Sequence, residues 1–325
     1  MNTNLTRIAI SALLILITAP GIALAQDDAQ PVDPEGKAIL VTGASTGIGR
    51  HTAELLAERG FYVYAGARKQ ADLDSLNAID NIEAVRLDVT KQDEIDAAVE
   101  QVRAGGRGLH GLINNAGVAV VGPLIELTEE DLDFQLDVNV YGPYRVTKAF
   151  APLLLESGGR VSTTSSISGF LSWGLGGAYS MSKFAVEAYT DALAMELEPL
   201  GVTVSVIEPG NYNSAIGKSL VQRMRDSGYS AEGSLFEAQM SRMADGDGDR
   251  SQYKEPYEVA EAFFDAMTSP DPKRRYMVVP NANEARITLR TMFNRIVQVN
   301  NDQPYELTRE ELIEMLDQSL ENAHR

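Results

Sequence analysis

Lys37-Ala38-Ile39-Leu40-Val41-Thr42-Gly43-Ala44-Ser45-Thr46-Gly47-Ile48-Gly49 runs from an apolar, β-branched stretch directly into a cluster of three glycines. The first half reads as a buried strand. Beyond the glycines, Arg50 to Arg59 follows a helical pattern that Gly60 stops. Strand, glycine turn and helix in that order form the context a phosphate-binding turn requires. Glycines let the backbone turn sharply and approach a pyrophosphate. The helix N-terminus adds N–H donors and the positive end of its dipole. A glycine cluster alone is often only a tight turn. Here it joins the first strand to the first helix, with spacing Gly-x-x-x-Gly-x-Gly, and points to a dinucleotide site.

Downstream the pattern repeats. Strand candidates are Ala38–Thr42, Tyr62–Ala65, Ile82–Leu87, Leu109–Asn114, Arg160–Thr164, Val202–Ile207 and Tyr276–Val279. Helical stretches fit between them, among them Gln92–Arg103, Glu129–Leu155 and Ala178–Leu200. This alternation predicts the α/β class, a doubly wound, mostly parallel sheet covered by helices on both faces. Ligands in such sheets bind beyond the carboxyl ends of the strands. The glycine turn, Asn114, Ser166 and Pro209 all fall at or near such ends, so they converge on one cleft. Thr128 with Asp131, and Thr308 with Glu311, have capping-box spacing and mark helix starts.

Tyr179 and Lys183 stand four apart on a predicted helix, hence on one face. An ammonium close to a phenol favours the phenolate, so the tyrosine can exchange a proton nearer neutral pH than its reference of about 10 allows. Ser166, thirteen residues upstream of Tyr179, can hold a carbonyl or alcohol oxygen in reach of that proton. Tyr144 and Lys148 repeat the spacing, but Asp131 occupies the position where the serine would stand. That second pair reads as an ordinary helix face.

Composition narrows the function classes. The 325 residues suffice for one large α/β domain, and 44% hydrophobic content supports a buried core. A net charge of −18 argues against a nucleic-acid partner and against attraction to an anionic membrane. The chain has no cysteine, and its three histidines, His51, His110 and His324, have no ligand spacing, so no metal site is expected. Residues 1–25 differ from the rest: Arg7, an apolar run from Ile8 to Ala19, Pro20-Gly21, then Ala23-Leu24-Ala25. This is the layout of a secretory signal peptide and implies an exported protein. The alternative is an uncleaved anchor with a cytoplasmic catalytic domain, the only reading that would bring a membrane contact. No twin-arginine pair precedes the run. Residues 26–36 read as a linker, 37–280 as the catalytic domain, and 281–325 as a helical extension. Ser214 to Arg250, within a substrate loop spanning 211–250, is long, polar and rich in methionine and glycine, and suits a lid.

Thr42-Gly43-x-x-x-Gly47-Ile48-Gly49, Asn114-Asn115-Ala116-Gly117, Asn139, Ser166, Tyr179, Lys183 and Pro209-Gly210 occur in the order seen in short-chain dehydrogenases/reductases. The chain resembles the standard-length branch of that family over about Gly36 to Val279. The resemblance implies a Rossmann-like fold and interconversion of an alcohol and a carbonyl with a nicotinamide cofactor. It implies Tyr179 as general acid/base, Ser166 orienting the substrate oxygen, Lys183 lowering the tyrosine pKa and binding the nicotinamide ribose, and Asn139 holding a water of the proton relay. Gly43, Ser45, Thr46, Gly47, Ile48 and Gly49 then cradle the pyrophosphate. Asp88 and Val89 meet the adenine, and Asn115-Ala116-Gly117 passes beneath the adenosine. Pro209, Gly210 and Ser214 lie towards the carboxamide.

Relatives that prefer NAD carry an acidic residue at the end of the second strand. Here that position is Ala67, followed by Arg68. Loss of the carboxylate removes repulsion against a 2′-phosphate, and arginine can bind that phosphate with paired, charge-assisted bonds. The expectation is NADP(H) rather than NAD(H). Phe170, Leu171, Trp173 and Leu175 follow the serine and suggest a rather apolar small-molecule substrate. The resemblance also implies a homodimer or homotetramer through the helices containing 129–155 and 178–200. A non-catalytic NADP-binding or sensing protein of the cell envelope is the rival reading.

Overall fold

The computed structural model describes residues 30–323. The candidate signal segment and His324 lie outside the described residues. In chain order the elements begin β1 (Ala38–Val41), α1 (Gly47–Glu58), β2 (Tyr62–Ala67), α2 (Gln70–Asn77), β3 (Ile82–Arg86) and α3 (Gln92–Ala104). The middle comprises β4 (Gly111–Asn114), α4 (Glu129–Leu136), α5 (Gly142–Ser157), β5 (Arg160–Thr164), α6 (Gly177–Leu197) and β6 (Thr203–Pro209). The chain closes with α7 (Ile216–Asp226), α8 (Glu237–Ala244), α9 (Tyr257–Thr268), β7 (Arg275–Val278), α10 (Ala282–Asn300) and α11 (Arg309–Ala323).

The strands form one sheet of order β3-β2-β1-β4-β5-β6-β7, every pair parallel. The doubly wound α/β expectation therefore holds. Alternate strand residues supply two cores. Ile39, Val41, Val63 and Ala65 meet Leu56, Leu76, Phe263 and Met267 of α1, α2 and α9 on one face. Leu40, Tyr64, Leu112 and Val161 meet Ile95, Val102, Val146 and Phe150 of α3 and α5 on the other. The strand order reverses between β1 and β4, which opens a crevice at their carboxyl ends.

Several boundaries differ from those the pattern predicts. β2 runs to Ala67, two residues further than expected, because it keeps pairing with β3 up to Arg86. The single helix expected over 129–155 is broken by a π-helical turn at Asp137–Tyr141, which separates α4 from α5 and contains Asn139. Hydrophobic periodicity does not reveal a one-residue bulge inside continuous helix, although such turns often mark functional positions. The helix expected to reach Leu200 ends at Leu197 and finishes as a 3₁₀ turn over Glu198–Leu200. The polar stretch 214–250 holds two helices, α7 and α8, which pack through Met224 and Met240. Residues of the linker are tied down as well: the Val32 amide donates to the Thr268 carbonyl at 2.8 Å. Among the described residues no helix is long and apolar enough to cross a membrane.

The two capping boxes turn out unequal. At α11 the pairing is reciprocal: the Thr308 amide donates to Glu311 Oε2 at 2.8 Å, and the Glu311 amide to Thr308 Oγ1 at 3.3 Å. At α4 Thr128 Oγ1 accepts from the Asp131 amide, but the Asp131 carboxylate binds the Thr128 hydroxyl and Arg223 of α7 instead of the Thr128 amide.

Candidate active site

At the crevice β1 ends and Gly43 takes a left-handed φ of 65°. A side chain there would meet Ala116 Cα at 2.7 Å. At Gly49 a Cβ would collide with Asn115 Nδ2. The loop after β4 therefore packs directly on the glycine turn. Thr42 Oγ1 accepts from the Asn115 and Ala116 amides at 2.9 and 3.0 Å, and Asn115 Nδ2 donates to the Thr42 carbonyl at 3.1 Å. Thr46, at the N-cap of α1, makes no side-chain cap bond, and the first turn of α1 holds no acidic residue. Its amide donors and positive dipole end are left for an anion.

From this turn a cavity of about 570 Å³ extends past β5 and β6. Gly43, Ser45, Thr46, Gly47, Ile48 and Gly49 line one end together with Arg68, Asp88 and Val89. Asn115, Ala116 and Gly117 line the middle, and Ser166, Tyr179, Lys183, Pro209, Gly210 and Ser214 the far end. One cavity thus collects every site residue expected from the sequence except Asn139. Asn139 lies behind the wall. Its Oδ1 accepts from the Val118 amide at 2.9 Å, and its Nδ2 donates to the Val118 carbonyl and to Ser182 Oγ. Its side chain clamps the 114–118 segment to α6. Tyr144, of the second Tyr-x-x-x-Lys, is half exposed on α5 with Lys148 Nζ 5.6 Å from its ring centre, and neither lines the cavity.

Ser166 Oγ donates to the Pro209 carbonyl at 3.3 Å and accepts from the Ser168 amide at 3.1 Å. The hydroxyl is therefore fixed between two loops. Burial pushes the Tyr179 phenol above its ordinary value, opposed by the Ser166 hydroxyl and the Arg250 charge. Lys183 Nζ donates to the Thr164 carbonyl at 2.8 Å and sits 5.7 Å from the Tyr179 ring centre. Burial lowers its own pKa to about 8, with the Glu187 charge opposing.

Arg68 is 63% exposed and reaches Asp88 Oδ2 only at 3.9 Å, so its guanidinium is available to a ligand at the β2 end. Asp88 also accepts from the Thr90 amide and hydroxyl, which shapes the adenine end of the cavity.

Two contributors escape sequence reading. Arg250, at the far end of the 214–250 stretch, folds back so that Nε and Nη2 donate to the Tyr212 carbonyl and Asn211 Oδ1 at 3.2 Å each. Glu284, in the first turn of α10, accepts from the Asn211 amide at 2.8 Å. Both hold the turn after β6. Neither carries a local motif, and only the fold closes 39 or 73 residues of separation.

Fold and cavity define a dinucleotide-binding α/β protein with a Ser-Tyr-Lys trio at the end remote from Arg68. Comparison with known proteins agrees. The short chain dehydrogenase family matches residues 37–225. The mitochondrial D-beta-hydroxybutyrate dehydrogenase of Bos taurus is 39% identical over 215 residues, 62% of each chain. The 3-ketodihydrosphingosine reductase of Bacteroides thetaiotaomicron is 38% identical over 180 residues, 54% of this chain and 64% of that one. A crystal structure of a short-chain dehydrogenase/reductase from Burkholderia phymatum in complex with NAD superposes with a TM-score of 0.70 at 26% identity, over 85% of this chain and 100% of that one. The chain belongs to the short-chain dehydrogenase family. The matched region spans less than two thirds of the length of these curated relatives.

Proposed function

We propose that the chain interconverts an alcohol and a carbonyl, with NADP(H) as the preferred cofactor. The observation that carries this reading is the meeting of Ser166, Tyr179 and Lys183 at one end of a cavity whose other end is an uncapped helix N-terminus. A bound nicotinamide dinucleotide supplies the hydride. Gly43, Ser45 to Gly49, Asn115, Ala116 and Gly117 would hold it, with Arg68 and Asp88 at the adenosine end. Ser166 holds the substrate oxygen, and Tyr179 exchanges the proton with it. Lys183, brought to the trio by a shared face of α6, favours the phenolate once its ammonium turns towards the phenol.

An apolar substrate is supported by the lining beside the trio. Leu171, Trp173, Val121 and Leu220 stand there. Val121 and Leu220 also border a second cavity of about 550 Å³, which Ile125, Leu127, Met224 and Leu235 line. A carbonyl at Tyr179 with an apolar body pointing towards Leu220 fits both spaces.

Fluorescence titration with NADPH and NADH tests the cofactor half of this reading. NADPH should bind more tightly, and Arg68→Ala should cost about tenfold in NADPH affinity, the loss of one charge-assisted contact, with little change for NADH. Equal affinities in the native chain, or an Arg68→Ala variant that binds NADPH as the native chain does, would reject the NADP assignment.

A further inference from the structure

Below the trio lies a second group of ionisable residues that the reaction does not use directly. Glu187 stands one helical turn after Lys183 on the buried face of α6, and its side chain is 9% exposed. Glu208, on β6, is 2% exposed. One cation serves both: Arg275 of β7 reaches Glu187 Oε2 at 3.5 Å and Glu208 Oε1 at 3.9 Å, while its shortest contact, 2.7 Å, goes to Asp191. Among the described residues Glu187 Oε1 and Oε2 and Glu208 Oε1 make no hydrogen bond. The Ser165 hydroxyl, next to Ser166, faces Glu187: both would crowd a side chain at Gly169, at 3.0 and 2.9 Å. The charged and titratable groups around Glu187 are thus Lys183 and Asp191 on α6, Glu208 on β6 and Arg275 on β7.

Two buried carboxylates sharing one loosely held guanidinium cannot both stay ionised at neutral pH. We infer that Glu208 holds a proton and Glu187 the charge, and that Glu187 is a positioning residue whose carboxylate keeps the Lys183 ammonium in its charged form. The assignment within the pair follows burial and distance: Glu208 is the more enclosed and the farther from Arg275. The shifts agree. Burial, then the charge of Glu187, raises Glu208 to about 8, and burial raises Glu187, with Ser165 and Arg275 opposing. The Glu187 charge is the influence that raises Lys183 against its burial.

This inference rests on the reading of Lys183 and Tyr179 as the proton-handling pair, and its test has a readout independent of turnover. Infrared spectroscopy of the native chain at neutral pH should show the carbonyl band of a buried, protonated carboxylic acid. Glu208→Gln should abolish the band by removing the acid. Glu187→Gln should weaken it by removing the like charge that adds to burial in keeping Glu208 protonated. In the pH profiles of kcat/KM and of NADPH binding, Glu187→Gln should move the alkaline limb, where Lys183 loses its proton, down by about one unit. That is roughly a tenfold loss at a fixed pH above the limb. Glu208→Gln, which leaves Glu187 charged, should leave the limb in place. A native chain without the acid band overturns the inference, and so does a Glu187→Gln limb that coincides with the native one. If Glu187→Gln does not fold, the native band and the Glu208→Gln profile decide: an absent band, or a limb moved by Glu208→Gln, overturns it. A chain that binds NADPH but reduces no carbonyl refutes the proposed function, while the band and the binding profile still decide the pair.

Discussion

At Tyr179 two effects oppose each other. Burial raises the phenol, and the cleft sets the Ser166 hydroxyl and the Arg250 charge against that rise. In the proposed reaction this phenol exchanges its proton with the oxygen that Ser166 would hold. Tyr179→Phe keeps the ring and its contact with Trp173, 5.9 Å away between ring centres, and removes only the hydroxyl. Turnover should fall by at least about 10³-fold, near the upper part of the range for general acid–base catalysis, with dinucleotide affinity within about twofold of native. A variant retaining more than a tenth of native kcat would remove Tyr179 from its role. The Tyr, Lys and Ser spacing made this much legible in the sequence, because two residues four apart on a helix share a face wherever the helix lies. Arg250 was not legible. Its position depends on a 37-residue excursion, Ser214 to Arg250, returning to the turn after β6.

At the scale of elements, α10 was expected as helix, but its contact with the site was not. Asn281 caps it through Oδ1, accepting from the Asn283 and Glu284 amides. The cap fixes the first turn and aims Glu284 at Asn211, beside Pro209 and Gly210 on the cavity wall. Further along, Arg295 stacks over Phe184 of α6 at 4.6 Å from the ring centre. The extension therefore braces the site from within its own chain. Glu284→Ala should cost about 1 kcal/mol of stability for the lost hydrogen bond and weaken dinucleotide binding several-fold by loosening the turn. Thermal unfolding and the NADPH titration read the two effects separately, and unchanged affinity would show that α10 does not support the site. The break between α4 and α5 belongs to this scale too. Its π turn places Asn139 against Val118 and Ser182, which a regular helix over 129–155 would not do.

For the whole molecule, the surface left on α5 and α6 bears on assembly. Met181 and Met195 are 46% and 72% exposed on α6, and Tyr144 and Leu155 on α5 are also exposed. Met181 and Met195 lie fourteen residues apart, so they fall on one stripe of the helix. This stripe supports the proposal of a homodimer or homotetramer formed through these helices. Light scattering should report an oligomer, and Met195→Glu, which sets a charge in that stripe, should shift it towards monomer. A native chain that is monomeric at micromolar concentration would dismiss the proposal.

What the sequence determined by itself was everything governed by local periodicity. The alternation of strand and helix predicted a parallel, doubly wound sheet, and the glycine turn after β1 pointed to a dinucleotide site at its carboxyl edge. The Tyr-x-x-x-Lys spacing required one helix face. Only the tertiary structure decided which charges surround the trio. Arg250 and Glu284 arrive from 71 and 105 residues beyond Tyr179, and Glu208 and Arg275 come from strands that neighbour each other only in the folded sheet. Electrostatic effects depend on distance in space and on burial, and neither can be computed from spacing along the chain.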